Sequence, residues 1–128
     1  MNLITSALIS MIIAIAAVFN IPFDEVQLAF EKGNASKVME FGKSKVLISI
    51  EDDEGVYSRS QGTQVLKKFF KQYPPSTFSY DFKGKEDGAS SFGIGNYQSL
   101  KQRFRVSIKF EKKGSSHVIE SLEISRIK

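Results

Sequence analysis

From Arg103 to Phe110 the chain alternates without a break. Phe104, Val106, Ile108 and Phe110 are apolar, and Arg103, Arg105, Ser107 and Lys109 between them are polar. Successive side chains of a strand point to opposite faces, so this pattern demands a sheet with one buried face and one wet face. Phe78, Tyr80 and Phe82 alternate in the same way with Thr77, Ser79, Asp81 and Lys83, and Phe92 and Ile94 alternate with Gly93 and Gly95. Val118 to Ile127 supplies a fourth strand whose alternation is less clean. The result is a four-strand antiparallel meander whose apolar face needs cover.

The cover comes from the first half of the chain. Asp24 reads as an N-cap with Gln27 three positions on, and Val26, Ala29 and Phe30 share one face of a helix that Gly33 ends. Asn34 caps a short second helix, Ala35 to Phe41, stopped by Gly42. Lys45 to Ile50 is β-rich and reads as a strand, and Glu51-Asp52-Asp53-Glu54-Gly55 as an acidic turn. Ser58 and Gln61 then form a capping box before Val65, Leu66, Phe69, Phe70 and Tyr73, at helical spacing, and Pro74-Pro75 stops that helix. The order is α-α-β-α-β-β-β-β. It describes an α+β layer, a curved antiparallel sheet wrapped on helices.

Charge divides the chain. No Lys, Arg, Asp or Glu occurs before Asp24, and Met11 to Phe19 is an unbroken apolar run. With Ala14-Ile15-Ala16 as a small-x-small site, residues 1–20 read as a signal peptide cut near Ala16/Ala17, although the α-amino group is the only positive charge ahead of the run. A retained N-terminal membrane anchor is the alternative, since the charge-free stretch is long enough to span a bilayer. Residues 21–128 contain no repeat or linker-like stretch, and they read as one exported domain, periplasmic or secreted. Lys101 to Lys128 carries eight basic and three acidic residues. That bias reads as the solvated face of strands rather than a nucleic-acid surface.

Residue types exclude most site chemistry. There is no Cys and one His, which removes disulfides, thiolate zinc sites, a cysteine nucleophile and multi-histidine metal centres. The acids of Glu51 to Glu54 are consecutive and lack the ligand spacing of a calcium loop. Phe92-Gly93-Ile94-Gly95-Asn96 lacks the third Gly and following helix of a phosphate loop. Asp81 alternates with the aromatic residues of its strand and therefore faces water, where a carboxylate is a poor base at neutral pH. His117 has no nucleophile specified alongside it, and no serine sits in a G-x-S-x-G pattern. No catalytic residue, metal ligand or cofactor site is expected.

Several segments together resemble a known family. They are the apolar leader, Gly55-Val56-Tyr57-Ser58, Leu66-Lys67-Lys68-Phe69-Phe70 running into Tyr73-Pro74-Pro75, Phe92-Gly93-Ile94-Gly95, Phe104-Arg105-Val106 and Leu122-Glu123-Ile124. The chain resembles a family of small exported bacterial proteins of unknown function with the nuclear-transport-factor-2-like (cystatin-like) fold. That resemblance implies a cone in which the curved sheet wraps a long helix and leaves a pocket. Enzymes of this fold place an Asp or an Asp-His pair in the pocket, and no such pair is found. The expected function is non-enzymatic binding of a small apolar or amphipathic ligand, or a peptide. An enzyme with an unrecognised site and an interaction module acting through the sheet face are the alternatives. With Phe78, Tyr80 and Phe82 facing the helix together, Tyr73, Tyr80, Phe92 and Phe104 are the candidate ligand contacts, the two tyrosines toward the open end. The chain itself is expected to be a monomer or weak homodimer.

Overall fold

The computed structural model describes residues 21–85, 90–100 and 102–128. The leader lies outside the described residues. Helix α1 spans Phe23–Glu31 and buries Val26, Ala29 and Phe30. Its N-cap is Pro22 rather than Asp24: the Pro22 carbonyl accepts the Val26 N–H at 3.1 Å. Asp24 and Glu25 fall in the first turn, where their carboxylates offset the helix dipole. Helix α2, Ala35–Glu40, is capped by Asn34, whose Oδ1 accepts from the Lys37 N–H at 3.1 Å.

Strand β1 is Gly42–Ile50 and β2 is Asp53–Ser58, a strand the sequence reading had absorbed into an acidic turn. Only Glu51 and Asp52 turn, because Asp53 to Ser58 pair antiparallel with Ile50 to Lys45. Helix α3, Arg59–Gln72, opens with the expected capping box between Ser58 and Gln61. Strands β3 (Thr77–Lys85), β4 (Ser90–Gln98), β5 (Arg103–Lys113) and β6 (Ser116–Arg126) form the meander. The sheet order is β2-β1-β6-β5-β4-β3. All neighbours are antiparallel except β1 and β6, which run parallel.

The helices cover the inner face. Phe30 stacks on Phe78 with ring centroids 4.9 Å apart, and Phe69 packs edge-on to Phe104 at 5.1 Å and near Tyr97 at 5.3 Å. Burying each such ring contributes about 1.5–3 kcal/mol, so these contacts account for much of the fold's cohesion.

Two bulges alter the faces read from alternation. In β3, Tyr80 opposes Gly95 and Phe82 opposes Ile94, which leaves Asp81 as an extra residue. Phe78 and Tyr80 therefore point inward while Phe82 turns to the outer face, half exposed and packed on Phe92 at 5.3 Å. Asp81 is exposed, as expected. In β4 the inward positions are Ser91, Gly93, Gly95 and Tyr97, so Phe92 and Ile94 lie on the outer face, opposite to the expectation. The reason is space: a Cβ at Gly93 would come within 2.9 Å of the Tyr80 ring, and one at Gly95 would overlap Phe78. The aromatic rings of β3 lie across β4 and fill positions its own side chains would take. In β6, Lys109 opposes Ser121 and Phe110 opposes Ile119, so Glu120 is extra. That is why its alternation reads poorly although Ile119, Leu122 and Ile124 are all buried.

Candidate functional site

Where the β1–β2 hairpin rises beside α3, a cleft of about 470 Å³ remains. Its apolar walls are Ile48 and Ile50 from β1 and Val65 and Phe69 from α3, spaced four apart on one helix face. Glu51, Asp53 and Glu54 from the hairpin and Lys68 and Gln72 from the helix border it, and Tyr57 and Tyr73 supply aromatic surface. Tyr57 points inward opposite Val46, and its phenol lies across Gly55, where a Cβ would sit 2.7 Å from the hydroxyl oxygen.

The four tyrosine hydroxyls differ in what they meet. Tyr80 donates to the Phe23 carbonyl at 3.0 Å, and Tyr97 donates to the Tyr73 carbonyl. Tyr73 accepts from the Arg126 guanidinium at 2.8 Å and from the Gln72 amide at 3.3 Å. Tyr57 has no hydrogen-bond partner among the described residues. Burial first, then the charges of Asp24 and Glu25, raise the Tyr80 phenol pKa above its ordinary value; burial alone raises that of Tyr97.

One end of the cleft is closed by charge. The Arg126 Nε donates to Glu51 Oε1 at 3.0 Å, and the guanidinium lies over the rings of Tyr73 and Phe104 at 5.7 and 5.9 Å. Glu51 adopts φ 56°, a left-handed conformation uncommon outside glycine. Its N–H donates to the Ile124 carbonyl at 2.9 Å, so the hairpin turn is pinned to β6 through both backbone and side chain.

Of the four residues singled out from sequence, the structure brings two together. Tyr73 borders the cleft and Phe104 lies directly beneath it, ring centroids 4.9 Å apart, fully buried. Tyr80 sits elsewhere, packed against Phe23 at 5.4 Å with the Lys83 ammonium over its ring at 5.3 Å. The expectation that it shares the open end with Tyr73 fails because its hydroxyl is taken by the start of α1. Phe92 lines a separate shallow groove of about 270 Å³ on the outer face, with Ser107, Lys109, Ser121 and Glu123. Tyr57 was missed as a cleft residue. Its signal was the Gly-x-Tyr spacing of Gly55 and Tyr57, legible only once that segment is recognised as a strand.

Among the described residues no group of His, Asp and Glu is clustered to hold a metal ion, and no helix is long and apolar enough to cross a membrane. His117 of β6 pairs in register with Lys112 of β5 and is not among the residues lining the cleft.

Among the described residues, a curved open sheet with three helices on one face and a cleft at one end makes an α+β cone, and solved structures of the nuclear-transport-factor-2-like and cystatin-like folds are similar to it. Within that class the chain belongs to the family described as "Domain of unknown function (DUF4783)", whose model matches residues 23–125. It is similar to a member of that family from Bacteroides uniformis, with 26% identity over 85% of this chain and 99% of that one and a TM-score of 0.79. A member from Bacteroides fragilis is 28% identical over 84% of this chain and 100% of that one, with a TM-score of 0.77. A domain of unknown function with a cystatin-like fold from Nostoc punctiforme shares the fold alone, at 10% identity over 82% of this chain and 72% of that one and a TM-score of 0.66. No curated protein matches the sequence.

Proposed function

We propose that this protein is a non-catalytic binding domain whose cleft between the β1–β2 hairpin and α3 holds a small amphipathic molecule or a short peptide. One observation carries the reading: Tyr57, whose hydroxyl has no hydrogen-bond partner among the described residues, lines a cleft with apolar walls. A polar group of this kind fixes the orientation of a ligand whose body is buried by Ile50, Val65 and Phe69. The carboxylates bordering the cleft are exposed to solvent rather than held beneath its walls, which suits recognition better than proton transfer. We propose further that the domain is exported: the charge-free segment ends where α1 begins, so a cut near Ala16/Ala17 would leave the described fold whole.

Native mass spectrometry of purified protein tests the binding reading. A co-purifying mass is expected, and Val65→Glu, which places a charge in the apolar wall, should abolish it while the protein stays folded. Retention of that mass by the folded variant would place the ligand elsewhere, with the outer sheet face the next candidate.

A further inference from the structure

The sheet has two edges, β2 and β3, and they differ. On β3 the ladder bulges at Asp81, and α1 lies alongside, with Gln27 Nε2 donating to the Phe78 carbonyl at 3.1 Å and Lys83 paired to Asp24. The backbone of β2 is open. Its turn holds only Glu51 and Asp52, so the Asp53 N–H is directed at the Ile50 carbonyl. Backbone groups alternate from there along a ladder without a bulge: those of Asp53, Gly55 and Tyr57 face β1, and those of Glu54, Val56 and Ser58 face away. The Ser58 N–H agrees with this parity, since it donates to Gln61 Oε1 at 3.2 Å. No such cap meets Glu54 or Val56, whose edge-facing N–H and C=O groups have no partner among the described residues. The Val56 side chain is 64% exposed on the outer face, and the inner face of the same strand borders the cleft through Asp53 and Tyr57.

We infer that this edge takes an extended, uncharged, apolar peptide, which adds to β2 as a further strand and sets alternate side chains into the cleft. The inference rests on the cleft being a binding site, and it chooses the peptide over the small amphipathic molecule. Main-chain bonds to Glu54 and Val56 give such a peptide its affinity, and the positions of its alternate side chains give selectivity. Those on the outer face cover Val56, and those on the inner face reach the apolar wall at Val65. The cleft asks for no charge: Glu51 is matched by Arg126, and the Asp53 carboxylate and the Lys68 ammonium border it together. A second copy of the chain fits the edge less well. The six residues of β2 make a strand about 20 Å long and about 10 Å tall, so pairing β2 with β2 covers far less than the about 1,000 Å² that a stable interface buries. A peptide gains the cleft in addition to the same edge.

Amide hydrogen exchange followed by NMR, with and without the capped peptide acetyl-Thr-Val-Thr-Val-Thr-amide, tests the inference. In the protein alone the Gly55 and Tyr57 amides should be protected and those of Glu54 and Val56 should exchange fast. Saturating peptide should slow Glu54 and Val56 about tenfold or more. An analogue methylated on two consecutive central backbone nitrogens blocks both edges of the peptide and should lose that effect. Val56→Pro removes an N–H outside the ladder and should abolish binding with little change in thermal midpoint; the wild-type exchange and the methylated analogue decide the matter even where that variant does not fold. Val65→Glu should weaken the peptide as well. Peptide binding that leaves the Glu54 and Val56 amides fast overturns the added strand while leaving the cleft as a binding site. Protection that is undiminished in Val65→Glu overturns the cleft reading while leaving the edge. Protection that rises with protein concentration in the absence of peptide assigns the edge to a second copy and overturns the inference, as does failure of the peptide to bind.

Discussion

The hydroxyl of Tyr97, a fully buried residue near the end of β4, donates its hydrogen bond to the backbone carbonyl of Tyr73 at the end of α3. The carbonyls of a helix's last turn have no partner within the helix, and here a side chain from β4 supplies one. Pro74 ends α3, and this bond ties the Tyr73 backbone to the sheet where its side chain borders the cleft.

Tyr97→Phe should cost about 1–3 kcal/mol, because it leaves the part-buried Tyr73 carbonyl without its donor while preserving the ring's contacts. Urea denaturation measures the loss. A change below about 0.5 kcal/mol would mean that water or another donor replaces the phenol.

Tyr80 and Phe104 should separate stability from binding. Phe104→Ala removes a ring enclosed by Phe69, Tyr73 and Tyr97 and should destabilise the fold by about 3–5 kcal/mol. Tyr80→Phe loses one hydrogen bond to the Phe23 carbonyl, about 1 kcal/mol, and should leave ligand affinity in the cleft unchanged. A clear loss of affinity in folded Tyr80→Phe would contradict the placement of the site.

Gly95→Ala should be destabilising by about 1–3 kcal/mol, although it adds only a methyl group to a strand that alanine tolerates. The methyl would overlap the Phe78 ring, which lies across Gly95. The double variant Gly95→Ala, Phe78→Leu should recover part of the loss in thermal melts, as expected for residues that share one space.

Stability should fall in alkali. Burial raises the pKa of Tyr80 and Tyr97 in the folded chain, whereas in the unfolded chain both phenols ionise near pH ~10. Between the two values the unfolded state has released protons that the folded state retains. The contribution is therefore complete below about pH 10 and is lost above it, by at most about 1.4 kcal/mol per pH unit for each tyrosine. Denaturation midpoints of the Tyr97→Phe variant should decline less steeply than wild type over that range.

How much of this was legible in the sequence depended on whether local pattern and tertiary packing agreed. Phe104, Val106, Ile108 and Phe110 face the core as their alternation requires, and Ser58 and Gln61 cap α3 as their spacing requires. The faces of Phe82 and Phe92 were not legible. A bulge at Asp81 carries no signature of its own, and the glycines of β4 point inward only because rings from β3 occupy their space. Strand β2 was hidden because Asp53 and Glu54 are poor strand formers, held there by pairing with Ile50 and Ser49. The cleft went unread with it, since Asp53, Glu54 and Tyr57 all come from that strand.

Strand β6, last in the chain, lies between β1 and β5, and its parallel ladder with β1 joins Ile50 to Ile124. A nascent chain that has not yet released β6 holds the β1–β2 hairpin and the β3–β5 meander with no strand ladder between them among the described residues, only the side-chain pair of Lys43 and Glu111. Completion of the whole sheet therefore waits for β6 to be made, and the ladder it forms with β1 closes a loop of more than half the chain, the kind of non-local pairing that slows folding.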